Sequence, residues 1–159
     1  MAIADPVSLV GYCGLYCNAC GIRQGKLKDA VNNLRDVIAS FGIDKNVSDL
    51  ANWESGFRHY DGFKQFMEGL VKIFGYCPGC LEGGGDPNCK VRSCAKQRNY
   101  RTCTECAEAK ICQKLDPYRK YFELALESIK ENGVKGYAEE LQRRVGKGYT
   151  YPTEVNSPP

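Results

Sequence analysis

The 159-residue sequence predicts a mainly α fold, a small helical domain with irregular, cysteine-rich metal-binding loops. Three observations lead there. Apolar residues recur every three or four positions in four separate stretches, no stretch alternates as a strand does, and ten cysteines gather in two places. With 43% hydrophobic and 26% charged residues the composition is that of an ordinary globular chain, which excludes a collagenous, low-complexity or wholly disordered one. A domain of this length buries about 70% of the surface its unfolded form exposes and needs no disulfide staples. The cysteines therefore ask for a chemical explanation.

Residues 1–150 read as one cysteine-rich domain and residues 151–159, with their prolines and no apolar pattern, as a flexible tail. Within the domain, residues 21–76 form a cysteine-free helical spacer. Its first helix follows from Leu27, Ala30, Val31, Leu34, Ile38 and Phe41, with Gly42 supplying the left-handed residue that ends it. Trp53, Phe57 and Tyr60 extend an aromatic face, and Phe63, Phe66, Met67, Leu70, Val71 and Phe74 make a stripe expected to be core, stopped by Gly75. Residues 77–112 are the cysteine block. Asp116-Pro117 is a helix-start signal, and residues 116–146 read as a helical hairpin. Phe122, Ala125, Leu126 and Ile129 face one way in its first arm, Gly133 interrupts, and Val134, Tyr137, Ala138, Leu141 and Val145 repeat the pattern.

The chain begins without a basic segment ahead of an apolar run, and no apolar stretch approaches the roughly 18 residues of a membrane span. The expectation is a cytoplasmic protein that does not engage membranes. In a reducing cytosol clustered thiols are metal ligands or redox groups rather than cross-links. The net charge of +3 implies no particular partner by itself.

The first cluster, Cys13, Cys17 and Cys20, has spacing i, i+4, i+7, which brings thiols together on a helix face or on a turn that leads into a helix. The later block holds Cys77-Pro-Gly-Cys80, then Cys89 and Cys94, then Cys103-Thr-Glu-Cys106 and Cys112. A C-x-x-C turn aims two sulfurs at one cation, and two such pairs 22 residues apart are a strong metal signal. The competing reading, thiols packed as small hydrophobes, is weak for the later block, which has few large apolar partners, and stronger for the first cluster. Two four-coordinate sites use eight sulfurs and leave two; three independent sites would need twelve. The first three cysteines cannot close a tetrahedron, so one later cysteine is expected to join them. All ten are candidate ligands. His59 is not needed, and Glu82, Asp86, Glu105 and Glu108 belong to no catalytic motif.

The order of Tyr12 through Cys20, Cys77-x-Gly-Cys80, Cys89-x-Val-Arg-x-Cys94-Ala95, Cys103-x-x-Cys106 and Cys112-x-x-Leu115 resembles the cysteine-rich domain of unknown function 3795 family of bacteria and archaea. The resemblance spans residues 12–115, with a further echo at Asn132 to Val134. It implies a small zinc-binding protein with metal expected on all ten cysteines, and it supplies no catalytic residue.

Thiolate-only ligation suits structural zinc and iron–sulfur clusters alike. The preferred reading is an uncharacterised zinc-binding module, with two zinc ions and a surface that binds or scaffolds a protein partner; no enzyme is expected. The alternative is an iron–sulfur electron carrier or redox sensor. The C-x3-C-x2-C spacing also suits a radical enzyme's cluster, but the alternating strands and helices such a barrel needs are missing from the pattern. A third reading is a nucleic-acid-binding zinc module, because residues 90–101 carry Lys90, Arg92, Lys96, Arg98 and Arg101 with Tyr100 and no acid. The competing reading, cations that offset the negative charge of thiolate sites, is favoured.

Overall fold

The computed structural model describes residues 5–151. They form two compact units, residues 25–76 and the remainder, residues 5–24 with 77–151. Five α-helices carry the structure: α1 (Lys26–Ser40), α2 (Val47–Trp53), α3 (Tyr60–Phe74), α4 (Lys90–Gln97) and α5 (Arg119–Gly146). Among the described residues there is no strand, only an isolated antiparallel bridge between Val10 and Tyr16. The fold class is therefore mainly α. Residues 152–159, most of the expected tail, lie outside the described residues.

Residues 25–76 contain α1 to α3, and their boundaries follow the local chemistry. Gly42 takes φ +64° just beyond α1. Gly75 caps α3 at a point where a Cβ would sit 2.3 Å from the Val71 carbonyl oxygen, so only glycine fits. The helices form where their apolar period predicts them, but the expectation that the α3 stripe is core needs correction. Only Met67 of that stripe and Val31 of α1 are buried, while Phe66 is 62% exposed and Trp53 83%. A unit of about fifty residues with two long helices has one helix–helix seam, and a seam covers a single strip of each helix.

The other unit is built around α5. Gly133 (φ 70°, ψ 170°) breaks this helix into two arms, and both contribute to one apolar cluster. Ala125 from the first arm and Tyr137, Ala138 and Leu141 from the second pack with Leu9, Val10, Tyr16 and Ala19. A second cluster sets Phe122 and Leu126 against Cys13, Val91, Ala109 and Leu115. The faces expected of the hairpin are thus the faces that are buried. Its start is displaced: residues Gln113–Tyr118 make a 3-10 turn that includes Pro117, and Asp116 turns to the guanidinium of Arg119 instead of capping the helix.

Both arms hold the turn that carries the first cysteines. Gly14 packs on Ala125, and the Tyr137 hydroxyl donates to the Gly14 carbonyl at 2.7 Å in a buried setting. Tyr151 closes the same region, its hydroxyl accepting from the Tyr16 backbone N–H at 2.6 Å and its ring lying 4.6 Å from that of Tyr121. Replacing Tyr137 with Phe leaves the Gly14 carbonyl unpaired out of water, a loss of about 1–3 kcal/mol. Chemical denaturation is expected to show a lower midpoint for Y137F at unchanged slope; an unchanged midpoint would show that the bond is replaced without cost.

Candidate metal centre

Residues 13–20 do not form a helix. Gly11 N–H donates to the Leu15 carbonyl at 2.7 Å and Gly14 adopts φ +85°, which makes a tight loop, followed by a 3-10 turn at Cys17–Ala19. Of the two conformations that the i, i+4, i+7 spacing allowed, the turn is realised.

The cysteine segments are irregular backbone, and arginine side chains provide what a sheet ladder would otherwise supply. Arg23 donates to the Cys77 carbonyl at 2.9 Å and to the Asn18 amide oxygen at 3.0 Å. Arg92, only 8% exposed, donates to the carbonyls of Gly84 (2.7 Å) and Asp86 (2.6 Å). Arg101 ties Val7 and Val10, and Arg119 ties Ala109, Lys110 and Cys112. A planar guanidinium with five donors suits such gathering of loop carbonyls, each of which must find a partner when buried. Arg23 and Arg119 were missed by sequence reasoning, since clamping a distant carbonyl leaves no periodic trace.

These clamps sort the ten thiols into two groups. Cys94, within α4, together with Cys103, Cys106 and Cys112, lines a cavity of about 50 Å³. Cys13, Cys17, Cys20, Cys77, Cys80 and Cys89 line a separate open cavity of about 450 Å³. The two C-x-x-C pairs of the later block therefore serve different cavities and do not share a ribbon. The first cluster meets three later cysteines where one was expected. Cys80 N–H donates to the Cys17 sulfur at 3.4 Å, and the Arg92 N–H donates to the Cys89 sulfur at 3.5 Å at the start of α4. The segments are linked by Cys103 N–H donating to the Tyr12 carbonyl at 2.7 Å.

Glycines leave room around two of these sulfurs. A Cβ on Gly84 would lie 2.7 Å from the Cys77 sulfur, and one on Gly79, which has φ +108°, would lie 3.6 Å from the Cys17 sulfur. Burial pushes the Cys13 thiol up to about 12, and nearby Cys80, Cys89 and Cys103 act in the same direction against a Leu15 backbone hydrogen bond. Burial likewise pushes Cys103 up to about 12, followed by the influence of Cys112, Cys94 and Cys106. Thiols crowded this way resist joint ionisation until a cation neutralises them. Among the described residues no three His, Cys, Asp or Glu side chains stand close enough to hold an ion without rearrangement, so ligation requires the thiols to turn inward.

The basic stretch is partly committed to these loops. Arg92 and Arg101 face backbone carbonyls, whereas Lys96 is exposed. Arg98 is exposed too, its guanidinium 3.6 Å from the Cys106 sulfur and 3.8 Å from Glu108. Cys94 and Cys106 hold its charged form in place by raising its pKa. Tyr100 lines the smaller cavity. Glu82, Asp86, Glu105 and Glu108 are exposed, as is His59. No helix among the described residues is long and apolar enough to cross a membrane.

A family model described as "Protein of unknown function (DUF3795)" matches residues 9–117. The chain belongs to this family. The DUF3795 match ends at Pro117, so it includes all ten cysteines and both cavity-lining groups, and leaves α5 outside. No curated protein and no solved structure matches the chain.

Proposed function

We propose that this DUF3795 protein is a thiolate metalloprotein, and that Cys94, Cys103, Cys106 and Cys112 hold one zinc ion in a closed structural site that sets a binding or scaffolding surface. The observation that carries this reading is that four thiols, from three separate segments, line one cavity of about 50 Å³ and need only turn inward to reach a common ion. That volume is a few times what one water occupies and leaves no room for a substrate beside an ion. Four soft sulfur donors with no open position make a donor set of the kind structural zinc takes. Arg98 beside Cys106 offsets part of the two negative charges that four thiolates leave on a divalent ion.

The fit favours a structural over a nucleic-acid-binding role for the surrounding cations, because Arg92 and Arg101 are spent on carbonyls that phosphate could not replace. Metal analysis of protein purified without added metal tests the zinc reading. Zinc is expected to be present, and to fall by one equivalent in a Cys103→Ser, Cys106→Ser double variant. Zinc content unchanged by that double substitution would refute the assignment.

A further inference from the structure

The larger cavity differs in kind from the smaller. Sulfurs on one tetrahedral zinc lie about 3.8 Å apart, as the Zn–S distance of about 2.3 Å requires. A single ion would leave most of a cavity of about 450 Å³ empty. Four of its six thiols lie on two linked segments: Cys17 and Cys20 on the first, Cys77 and Cys80 on the second, joined by the Cys80 N–H···Sγ bond to Cys17 and by Arg23 on the Cys77 carbonyl. The remaining two, Cys13 and Cys89, stand outside these two linked segments.

A separate observation points to a ligand in this space. Tyr16 lines the cavity, its side chain is fully buried, and its hydroxyl has no hydrogen-bond partner. An orphaned buried hydroxyl costs about 1–3 kcal/mol, and such groups mark places where something polar is bound. Arg23 and Arg92 add two cations to the cavity lining.

We propose that this cavity holds an iron–sulfur cluster on Cys17, Cys20, Cys77 and Cys80, with the Tyr16 hydroxyl as hydrogen-bond donor to it. Four thiolates are the usual holder of such a cluster, whose inorganic sulfides fill volume that a single ion cannot and accept hydrogen bonds. The cations lining the cavity balance the negative charge of the ligated cluster. This inference rests on the reading of the chain as a thiolate metalloprotein and adds a second, chemically different site to it.

The test is anaerobic reconstitution of the full chain with ferrous iron, sulfide and a thiol reductant, followed by visible absorbance and separate iron, sulfide and zinc analysis. Iron and sulfide are expected in equal amounts, with a broad charge-transfer band. Cys20→Ser and Cys80→Ser are expected to abolish the band while zinc at the smaller site and the far-ultraviolet helical signal persist. Tyr16→Phe is expected to keep the band but move the reduction potential to a more negative value, because a donor to cluster sulfur favours the reduced form. Failure of the wild type to take up sulfide, or a second equivalent of zinc lost in Cys80→Ser, would overturn the cluster and leave the zinc site standing. A full band in both cysteine variants would overturn the ligand set, and an unchanged potential in Tyr16→Phe would remove that residue from it. Loss of zinc in Cys103→Ser, Cys106→Ser bears only on the smaller site, so the two readings fail separately.

Discussion

Stripping zinc from the zinc-loaded protein with a strong chelator is expected to release residues 98–115 while leaving the α5 hairpin folded. Between α4 and α5 the chain has only 3-10 turns of three to six residues, Cys103–Glu105, Ala109–Ile111 and Gln113–Tyr118. Its deeply buried apolar residues there are Ala109 and Leu115, one small and one at the far end. Burying a Leu contributes about 1.5–3 kcal/mol, whereas ordering one residue of backbone costs about 1–2 kcal/mol, so this segment cannot hold itself in place by packing. A structural zinc contributes about 10–16 kcal/mol of apparent binding free energy, comparable to the whole stability of a domain at about 5–15 kcal/mol. The hairpin has a different source, the burial of Ala125, Tyr137, Ala138 and Leu141 against Leu9, Val10, Tyr16 and Ala19. The expected result is rapid proteolysis at residues 98–115 after chelation, loss of near-ultraviolet signal, and retained helical signal. Since the thiols must lose protons to bind, acid is expected to mimic the chelator, with zinc released progressively as pH falls. Undiminished protection of residues 98–115 in metal-free protein would show that the Arg92, Arg101 and Arg119 clamps suffice without an ion.

The contrast between hairpin and loops also explains what could be read from the sequence. Period reports which residues share a helix face, so Phe122, Ala125 and Leu126, then Tyr137, Ala138 and Leu141, were legible, and Gly133 was legible as the break. Period does not report what covers a face. The α3 stripe was therefore correct as a helix and wrong as a core, because Phe66, Phe63 and Phe74 stay exposed and only Met67 is buried. The cysteines were legible as a population and as C-x-x-C turns. Their division between two cavities was not, because it depends on contacts such as Arg23 to the Cys77 carbonyl, 54 residues apart, and Cys103 N–H to the Tyr12 carbonyl. The arithmetic of two four-sulfur sites plus two surplus thiols is compatible with four and six around the two cavities, with Cys13 and Cys89 as the two beyond the four proposed for the cluster. Tyr16 could not have been singled out from the sequence, since an unpartnered hydroxyl is a property of its neighbours.

The largest loss from one small substitution is expected for Gly14→Ala. Gly14 lies at φ +85°, where an L side chain costs about 1–2 kcal/mol. The added Cβ would also stand 2.6 Å from the Cβ of Ala125, against a comfortable carbon–carbon separation of about 3.5–4.0 Å. Ala125 is fully buried on α5 and has no rotamer to offer, so either the loop or the helix must move. Overpacking of this kind costs about 1–3 kcal/mol, giving about 2–5 kcal/mol in all. For a chain of this size that is a fall in Tm of roughly 4–20 °C. The chemistry should follow the mechanics. Gly14 sits between Cys13 and Cys17 and its carbonyl is held by Tyr137, so G14A is expected to weaken metal uptake at the six-thiol cavity while sparing Cys94, Cys103, Cys106 and Cys112. Gly62→Ala is the matched control, because Gly62 is an exposed glycine within α3 with open space around its Cβ position, and there alanine gains about 1 kcal/mol of helix propensity. Differential scanning calorimetry of the two variants should move Tm in opposite directions. Equal Tm for G14A and wild type would mean that the loop shifts off Ala125 at no cost, and that α5 does not fix the position of the first cysteines.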